Sequence, residues 1–208
     1  MRLYVVRHPR PLVASGVCYG TTDVACDLPE LHNAALVLRN ALPKGLEIMS
    51  SPLQRCERLA QVLKGLEPDL AYKTDARLAE MDFGTWEMQR WDALQPDELT
   101  AWTNDFAGYR CGGMGESTGQ FVQRVIQRLI ESAQAGKDQI WITHAGVIRA
   151  LLWLRAQPAS RLAQYNAIGF WQHQLHARDW PQGEVAFGRM QTWDWPPDWR
   201  LDWFAERR

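Results

Sequence analysis

Two histidines and two arginines stand at positions from which they could act together on a phosphoryl group. Arg7 and His8 follow a short apolar run, Arg55 follows the sequence Ser-Ser-Pro-Leu-Gln, and His144 follows the apolar residues 139–143. Guanidinium groups bind phosphate oxygens in pairs, and cationic charge offsets the negative charge of the transition state. A neutral imidazole is a competent nucleophile. These residue types therefore predict phosphoryl-transfer chemistry.

The elements that must position these residues alternate between strands and helices. Short apolar runs predict strands at residues 2–6, 46–50 and 139–143. Helical periodicity predicts helices at residues 29–40, 53–63, 97–106, 117–134 and 147–156. Two late strands, at residues 169–176 and 185–192, are expected as an antiparallel pair at one sheet edge. We therefore predict an α/β fold, a three-layer α/β/α sandwich with a mainly parallel sheet and one antiparallel edge.

The predicted topology turns these separate residues into one site. Ligands of open α/β sheets bind beyond the carboxyl ends of the strands. Arg7 and His8 follow the first strand, Arg55 follows the second, and His144 follows the strand at residues 139–143. His144 also begins a helix, where free backbone N–H groups favour a bound anion. We therefore expect the four side chains to converge on a phosphate at one edge of the sheet.

Composition excludes several other classes of protein. The 208 residues include 23 lysines and arginines against 24 aspartates and glutamates, so the formal net charge is −1. This balance excludes a protein that binds nucleic acid through bulk positive charge. Because no linker-like segment divides the chain, we predict one domain over residues 1–208 with a Trp-rich C-terminal tail at 191–208. The tail is expected to pack on the domain or to contact a second subunit in a homodimer, rather than to stack on a ligand.

Compartment and metal binding can also be addressed from the sequence. No stretch approaches the roughly 18 consecutive apolar residues that span a bilayer, and arginine and histidine stand where a signal peptide has its apolar region. We therefore expect a cytoplasmic protein with no membrane partner. The four cysteines lack CxxC spacing, which favours reduced thiols over a disulfide framework or a zinc site. His173 and His176 would face opposite sides of a strand, so they are not predicted as a metal pair.

Five short motifs occur in order over roughly residues 1 to 190. They are Arg7-His8, Ser-Pro-Leu-Gln-Arg at 51–55, Leu-Ala-Glu-Met-Asp-Phe-Gly at 78–84, Gly-Glu-Ser at 115–117 and Thr-His-Ala-Gly at 143–146. Together they closely resemble the motifs of the histidine phosphatase superfamily, which has the phosphoglycerate-mutase-like fold. Two further segments, Cys-Tyr-Gly-Thr-Thr-Asp at 18–23 and Phe-Gly-Thr-Trp-Glu-Met at 83–88, look most like the α-ribazole-5′-phosphate phosphatases of cobalamin biosynthesis.

This resemblance implies a role for each candidate residue. His8 would be the nucleophile that forms a phosphohistidine, and Arg7, Arg55 and His144 would bind the phosphate oxygens. Glu80 would protonate the leaving oxygen, a role for which Asp82 and Glu87 are the alternatives. The resemblance implies neither a metal ion nor another cofactor, because the arginines and His144 supply the positive charge.

The loop after the nucleophile departs from the family pattern. The family usually has glycine after the nucleophilic histidine and then an acidic or polar residue, whereas Pro9, Arg10 and Pro11 follow here. Proline lacks a backbone N–H that could bind phosphate, and the arginine adds a cation. Arg10, together with Tyr19 and Gly20, is a candidate for contact with the substrate outside its phosphate.

Three functions are compatible with these residues. The first is a phosphomonoester hydrolase acting on a small phosphorylated metabolite, with α-ribazole 5′-phosphate as the favoured substrate. The second is a mutase-type isomerase that returns the phosphoryl group to a phosphoglycerate. The third is a non-catalytic phosphate-binding protein. The complete catalytic set argues against the third, and the short segment between Glu87 and Glu116 favours release of phosphate to water over the mutase reaction.

Overall fold

A five-stranded sheet with helices on both faces forms the centre of the computed structural model, which describes residues 1–157 and 174–195. Its strands are β1 (Arg2–Arg7), β2 (Ile48–Ser50), β3 (Tyr72–Thr74), β4 (Gln139–Thr143) and β5 (Met190–Asp194). The order across the sheet is β3-β2-β4-β1-β5, and every pair is parallel except β1 with β5. The predicted α/β sandwich with a mainly parallel sheet and one antiparallel edge is confirmed.

Within the described residues, five α-helices and several single turns lie between these strands. The helices are α1 (Leu28–Ala41), α2 (Gln54–Leu66), α3 (Pro96–Asn104), α4 (Thr118–Ala135) and α5 (Ala145–Arg155). Short 3₁₀ turns occupy Ala76–Leu78, Gly84–Trp86, Trp91–Ala93 and Ala177–Asp179. Local signals explain where α1 and α4 begin, because the Asp27 carboxylate accepts from the Glu30 N–H and Ser117 forms a reciprocal capping box with Gln120. None of the described helices is long and apolar enough to cross a membrane.

Two hydrophobic cores lie on opposite faces of the sheet because successive side chains of a strand point to opposite sides. Leu3 and Val5 of β1 pack into the core that includes α4 and α5, whereas Val6 packs into the core beneath α1 and α2. In β4, Trp141 faces the first core and Ile140 the second. With both faces covered, only the strand ends leave polar side chains room to gather.

The edges of the sheet differ from the sequence-based prediction. The short strand β3 was not predicted, because its sequence Tyr-Lys-Thr is half exposed and carries no apolar run. The prediction of a strand over residues 185–192 is wrong at its start. The observed strand β5 begins at Met190 and pairs with β1. Residues 185–187 contact Arg7 instead, and Gly188 adopts a φ of +64° that a continuing strand does not accommodate. The other expected strand lies outside the described residues at 169–173, and residues 174–176 are not in a strand.

Candidate active site

Three strands end at one edge of the sheet, and the residues near their ends form a cluster of histidines and arginines. Arg7 and Thr143 are partners in the register of β1 and β4, so the residues that follow them, His8 and His144, lie side by side. Their ring centroids are 5.0 Å apart. Arg55, in the first turn of α2, donates a hydrogen bond to His144. The structure thus brings together the four residues that the sequence singled out, and they are named the His–Arg cluster below: Arg7, His8, Arg55 and His144.

The imidazole of His8 is buried, and the next residue, Pro9, determines which ring nitrogen carries the proton. Nδ1 lies 2.6 Å from the carbonyl oxygen of Pro9, which can only accept, so Nδ1 carries the proton and Nε2 carries a lone pair. Burial, reinforced by the charges of Arg55 and Arg7, holds the pKa of His8 well below its usual 6.5. His8 is therefore neutral near pH 7, and Pro9, which lacks an N–H, contributes to the site through its carbonyl.

His144 is also neutral, but its proton is on the other ring nitrogen. Its Nδ1 accepts from the Nε–H of Arg55 at 3.2 Å, so Nε2 carries the proton and donates to Oγ of Ser51 at 2.8 Å. Burial and the charge of Arg55 are the main reasons that the pKa of His144 lies well below its ordinary value. Ser51 therefore belongs to the site, and its place at the start of the Ser-Pro-Leu-Gln-Arg motif was the available signal.

Arg55 is fully buried, and backbone carbonyls hold its guanidinium group. Nη1 donates to the carbonyl of Thr22 at 2.8 Å, and Nη2 donates to the carbonyl of Gly20. With the bond to His144, each nitrogen of the guanidinium group has a partner. The orientation of Arg55 therefore depends on the loop at residues 20–22.

Arg7 lies at the edge of this buried cluster, beside a cavity that is described below. Nη1 donates to the carbonyl of Val185, and the guanidinium carbon lies 3.6 Å from the ring centroid of Phe187. Its Nε is buried and has no hydrogen-bond partner within the described residues. A buried donor without an acceptor costs roughly 1–3 kcal/mol, which an anion oxygen would recover. The contacts with residues 185–187 could not be inferred from any motif.

Glu80 is held at the start of α5, close to the His–Arg cluster. One carboxylate oxygen accepts from the N–H of Gly146 at 3.0 Å, and the other accepts from the N–H of Met81 at 3.1 Å. A side chain on Gly146 would come within 2.1 Å of the carboxylate, which explains the glycine at this position. Arg124 fixes the segment from α4 by donating to the Glu80 carbonyl at 2.8 Å, a contact that the sequence did not indicate.

The two alternative acids of this region have other roles in the structure. Glu87 accepts hydrogen bonds from Thr21, Thr22 and the N–H of Phe83. Asp82 accepts from the N–H of Gly84 at 2.8 Å. Of the three carboxylates, Glu80 alone lines the cavity described next.

A cavity of about 430 Å³ opens beside the cluster. Part of its wall consists of phenylalanine and tryptophan side chains from loops and helices outside the sheet: Phe83, Trp91, Trp102, Phe106, Phe121 and Trp180. Charged and phenolic groups also face it, among them Arg7, Tyr19, Glu80 and Arg149. His8, Arg55 and His144 are buried and lie outside its wall. The space next to the cluster, named the aromatic cavity below, therefore suits a flat and largely apolar group.

The three candidates for substrate contact occupy different places. Tyr19 and Gly20 line the aromatic cavity, and the Tyr19 ring centroid lies 5.3 Å from the guanidinium carbon of Arg55. Arg10 is exposed, forms an ion pair with Glu30 at 3.3 Å and is not among the cavity-lining residues. The structure therefore brings Tyr19 and Gly20 to the site and leaves Arg10 at its outer side.

Among the remaining sequence features, Cys56 borders the cluster, since its Sγ lies 3.4 Å from Nε2 of His144. All four cysteines are buried and unpaired as disulfides. Within residues 1–157 and 174–195, no group of three or more His, Cys, Asp or Glu side chains could hold a metal ion. His173 lies outside the described residues, and His176 precedes a 3₁₀ turn rather than lying in a strand. Trp193 and Trp195 are buried, with the guanidinium carbon of Arg155 5.6 and 5.8 Å from their ring centroids.

Comparisons with known proteins agree with this fold. Residues 3–181 match the sequence profile of the histidine phosphatase superfamily (branch 1). The TTHB049 protein of Thermus thermophilus is 29% identical, with a TM-score of 0.66 over 94% of this chain and 95% of that one. A structure described as phosphoglycerate mutase from Thermus thermophilus is also 29% identical, with a TM-score of 0.66 over 94% of each chain. The α-ribazole phosphatase of Shigella flexneri is 22% identical, with a TM-score of 0.70 over 95% of this chain and 92% of that one.

These matches define the class of protein. A fold with histidines and arginines at adjacent strand ends, together with a profile match over most of the chain, identifies a phosphoryl-transfer family whose members are phosphatases or mutases. The chain belongs to the histidine phosphatase superfamily, branch 1. No curated protein sequence matches it significantly. At 22% identity, the likeness to the Shigella flexneri enzyme supports the shared fold.

Proposed function

We propose that this protein is a phosphomonoester hydrolase that works through a phosphohistidine at His8. One observation carries the proposal: the His8 imidazole is neutral, with its Nδ1–H bonded to the Pro9 carbonyl and its Nε2 lone pair available beside two arginines. A neutral imidazole attacks phosphorus without first losing a proton. The cationic arginines reduce the repulsion between that lone pair and a phosphate dianion.

The His–Arg cluster supplies donors for the phosphate oxygens. The Nε–H of Arg7, which has no hydrogen-bond partner among the described residues, is one donor that an oxygen would satisfy. His144 now donates its Nε2–H to Ser51, so in the bound state a phosphate oxygen would replace or share that hydroxyl. Arg55 contributes charge from its fixed position against the loop at residues 20–22. No metal ion is required in this scheme, because the protein's own cations face the phosphate.

Glu80 would donate a proton in the first step and accept one in the second. In the first, the His8 Nε2 lone pair forms the N–P bond while the ester P–O bond breaks, and Glu80 gives its proton to the departing alcohol oxygen. In the second, Glu80 takes a proton from a water molecule, whose oxygen attacks phosphorus while the N–P bond breaks. Glu80 ends protonated again, and inorganic phosphate leaves. Its place in the cavity wall supports this role over Asp82 and Glu87.

The aromatic cavity favours a substrate whose alcohol part carries a flat apolar group. α-Ribazole 5′-phosphate, in which the ribose bears a dimethylbenzimidazole, has such a group, and we propose it as the substrate. A phosphoglycerate is small and carries a carboxylate, so it would leave the aromatic wall in contact with water. The wall therefore favours hydrolysis of an aromatic ribotide over the mutase reaction.

A panel of phosphomonoesters assayed with excess chelator tests this proposal. We expect kcat/KM for α-ribazole 5′-phosphate to exceed that for 3-phosphoglycerate and glycerol 1-phosphate by about 100-fold, because stacking of a flat base contributes roughly 1–3 kcal/mol. Interconversion of phosphoglycerates faster than release of phosphate would instead support the mutase. Tight binding of phosphate without turnover of any ester would support a non-catalytic protein.

A further inference from the structure

The Glu87 carboxylate is among the most heavily hydrogen-bonded acidic groups near the site, although it does not face the cavity. It accepts from the N–H groups of Thr21 at 2.8 Å, Thr22 at 2.6 Å and Phe83 at 3.1 Å. It also accepts from both threonine hydroxyls. Five donors converge on two oxygens, which is far more than a surface carboxylate needs to be satisfied.

The same short loop holds Arg55 from its other side. The carbonyls of Gly20 and Thr22 accept from the two terminal nitrogens of the Arg55 guanidinium group. The Gly20 carbonyl and the Thr21 N–H belong to one peptide group, so that peptide links the Glu87 carboxylate directly to the guanidinium. Each end of the peptide dipole meets an opposite charge, which strengthens both hydrogen bonds.

The peptide packs closely against Glu87 and the backbone of Met81. A side chain on Gly20 would come within 2.3 Å of both the Glu87 carboxylate and the Met81 carbonyl. Met88 adopts a φ of +64°, an unfavourable left-handed conformation for a non-glycine residue, and its N–H donates to the Cys18 carbonyl at 2.6 Å. The chain thus accepts local strain that keeps Glu87 against the loop.

Glu87 remains ionised in this setting. Burial raises the pKa of Glu87, but the hydrogen bonds from Thr22, Phe83 and Thr21 outweigh it, so the pKa lies below its ordinary value. A carboxylate in this state accepts hydrogen bonds and has no proton to deliver. Its chemistry therefore suits orientation of the loop rather than general acid catalysis.

We infer that Glu87 is a positioning residue that acts through the loop at residues 20–22 to hold Arg55 in the orientation required for phosphate binding. The inference rests on the proposed function, because it assigns Arg55 to a bound phosphoryl group. Glu87 also anchors the N–H of Phe83, which lines the aromatic cavity, so one carboxylate couples the two parts of the site.

A double-mutant cycle with inorganic phosphate as the probe tests this inference. The variants are Glu87→Gln, Arg55→Lys and the double variant, with phosphate affinity measured by calorimetry. Glu87→Gln replaces one acceptor oxygen by an amide that cannot accept from the loop. Asp75→Asn is the matched control, because Asp75 is a half-buried carboxylate whose side chain contacts only Arg77 and Arg128 among the described residues.

We expect Glu87→Gln to weaken phosphate binding about tenfold or more, since a misplacement of 1 Å at such a site costs up to about 10²-fold. In the Arg55→Lys background, the same change should cost less than about twofold, because the group that it positions is gone. Asp75→Asn should lower the melting temperature and leave phosphate affinity unchanged. If Glu87→Gln does not fold, Thr21→Val removes one hydroxyl donor and should weaken binding a few-fold with the same loss of effect in Arg55→Lys.

Other outcomes separate this inference from the proposed function. Full additivity of the two substitutions, or unchanged phosphate affinity in Glu87→Gln, would overturn the positioning role while the phosphate site stood. Absence of phosphate binding in the wild-type protein would overturn both. A shift of the Arg55 Nε–H resonance in Glu87→Gln, absent in Asp75→Asn, would place the effect on the guanidinium itself and support the inference.

Discussion

The His–Arg cluster and the aromatic cavity touch each other but are built in different ways. In the cluster, His8, Arg55 and His144 are buried, and most of their polar atoms are paired with backbone groups, with one another or with Ser51. In the cavity, aromatic rings from separate loops pack edge to face or stacked, as do Phe83 and Trp91 at 5.2 Å. The cluster is anchored to the central strands of the sheet, whereas the cavity belongs to the connections between elements.

This difference assigns separate tasks to the two regions. A rigid set of charges attached to strand ends can stabilise the same phosphoryl transition state in every relative of a fold. Walls made of loops can change shape and chemistry without disturbing the sheet. Chemistry is therefore expected to depend on the cluster and substrate choice on the cavity. Substitutions in either region test that division.

The largest effect that depends on the leaving group is expected for Glu80→Gln. An alkyl alcohol leaves poorly without a proton, so the rate on an alkyl phosphate should fall about 10²–10⁴-fold. Phosphoenzyme formation from p-nitrophenyl phosphate should fall far less, because nitrophenolate needs no proton to leave. Single-turnover release of nitrophenol isolates this step from hydrolysis of the phosphohistidine. Equal losses on both substrates would mean that Glu80 is structural or electrostatic.

The aromatic cavity gives the next largest effect. Trp102→Leu keeps an apolar side chain but removes a flat face that stacks on Trp91. We expect kcat/KM for α-ribazole 5′-phosphate to fall about 10- to 100-fold, the equivalent of roughly 1–3 kcal/mol of stacking, and kcat/KM for glycerol 1-phosphate to fall less than about threefold. Trp193→Leu, in β5 and away from the cavity, is the control. If both substrates suffer equally from Trp102→Leu, the cavity does not select the substrate.

Acid should destabilise the fold through the cluster. His8 and His144 are buried and neutral, and burial is the main cause of their lowered pKa values. Below pH 6.5 the unfolded chain gains protons that the folded chain excludes, so the free energy of unfolding should fall by up to about 1.4 kcal/mol per pH unit for each histidine. Urea unfolding between pH 7.5 and 5 measures this slope.

A pair of histidine substitutions checks the source of that slope. His8→Gln removes one of the two buried imidazoles, so the slope should fall by about half. His32→Gln, on the exposed face of α1, should leave the slope as it is in the wild-type protein. An undiminished slope in His8→Gln would show that other groups carry the pH dependence.

The smallest effect is expected at Arg10, outside both regions. Its exposed guanidinium pairs with Glu30 and lies 5.2 Å from the ring centroid of Phe187. If Arg10 attracts an anionic substrate, Arg10→Ala should raise KM several-fold, about two- to fivefold, and leave kcat nearly unchanged. Arg39→Ala removes a similarly exposed ion pair on α1 and serves as the control. An unaltered KM would remove Arg10 from the account of substrate binding.

The sequence predicted the cluster better than the cavity for a physical reason. Arg7 ends a strand, and His8 and His144 directly follow strands. Because parallel strands bring their ends together, a local pattern specifies a distant contact. The cavity wall combines Phe83, Trp102 and Trp180 from three separate loops or helices, and no periodicity relates such segments.

The sequence also could not predict residue roles that depend on the direction of hydrogen bonds. Glu87 is an alternative to Glu80 as the acid, and the structure adds two differences: five donors converge on the Glu87 carboxylate, and Glu80 lines the cavity. In the sequence, Pro9 indicates only that a backbone N–H is missing from the loop. In the structure, the Pro9 carbonyl determines which ring nitrogen of His8 carries the proton. The β-forming residues at 185–187 predict a strand, but Val185 and Phe187 contact Arg7 instead.

The proposed mechanism requires that Nε2 of His8 carry the phosphoryl group during turnover. Rapid mixing with substrate, quenching without acid and mass spectrometry of the intact protein test it most directly. In excess chelator, we expect one added phosphoryl group, mapped to His8, and none in His8→Ala, whose turnover should fall by about 10⁴-fold or more. A phosphoryl group on another residue, near-wild-type turnover in His8→Ala, or strict dependence on a divalent ion would contradict the account.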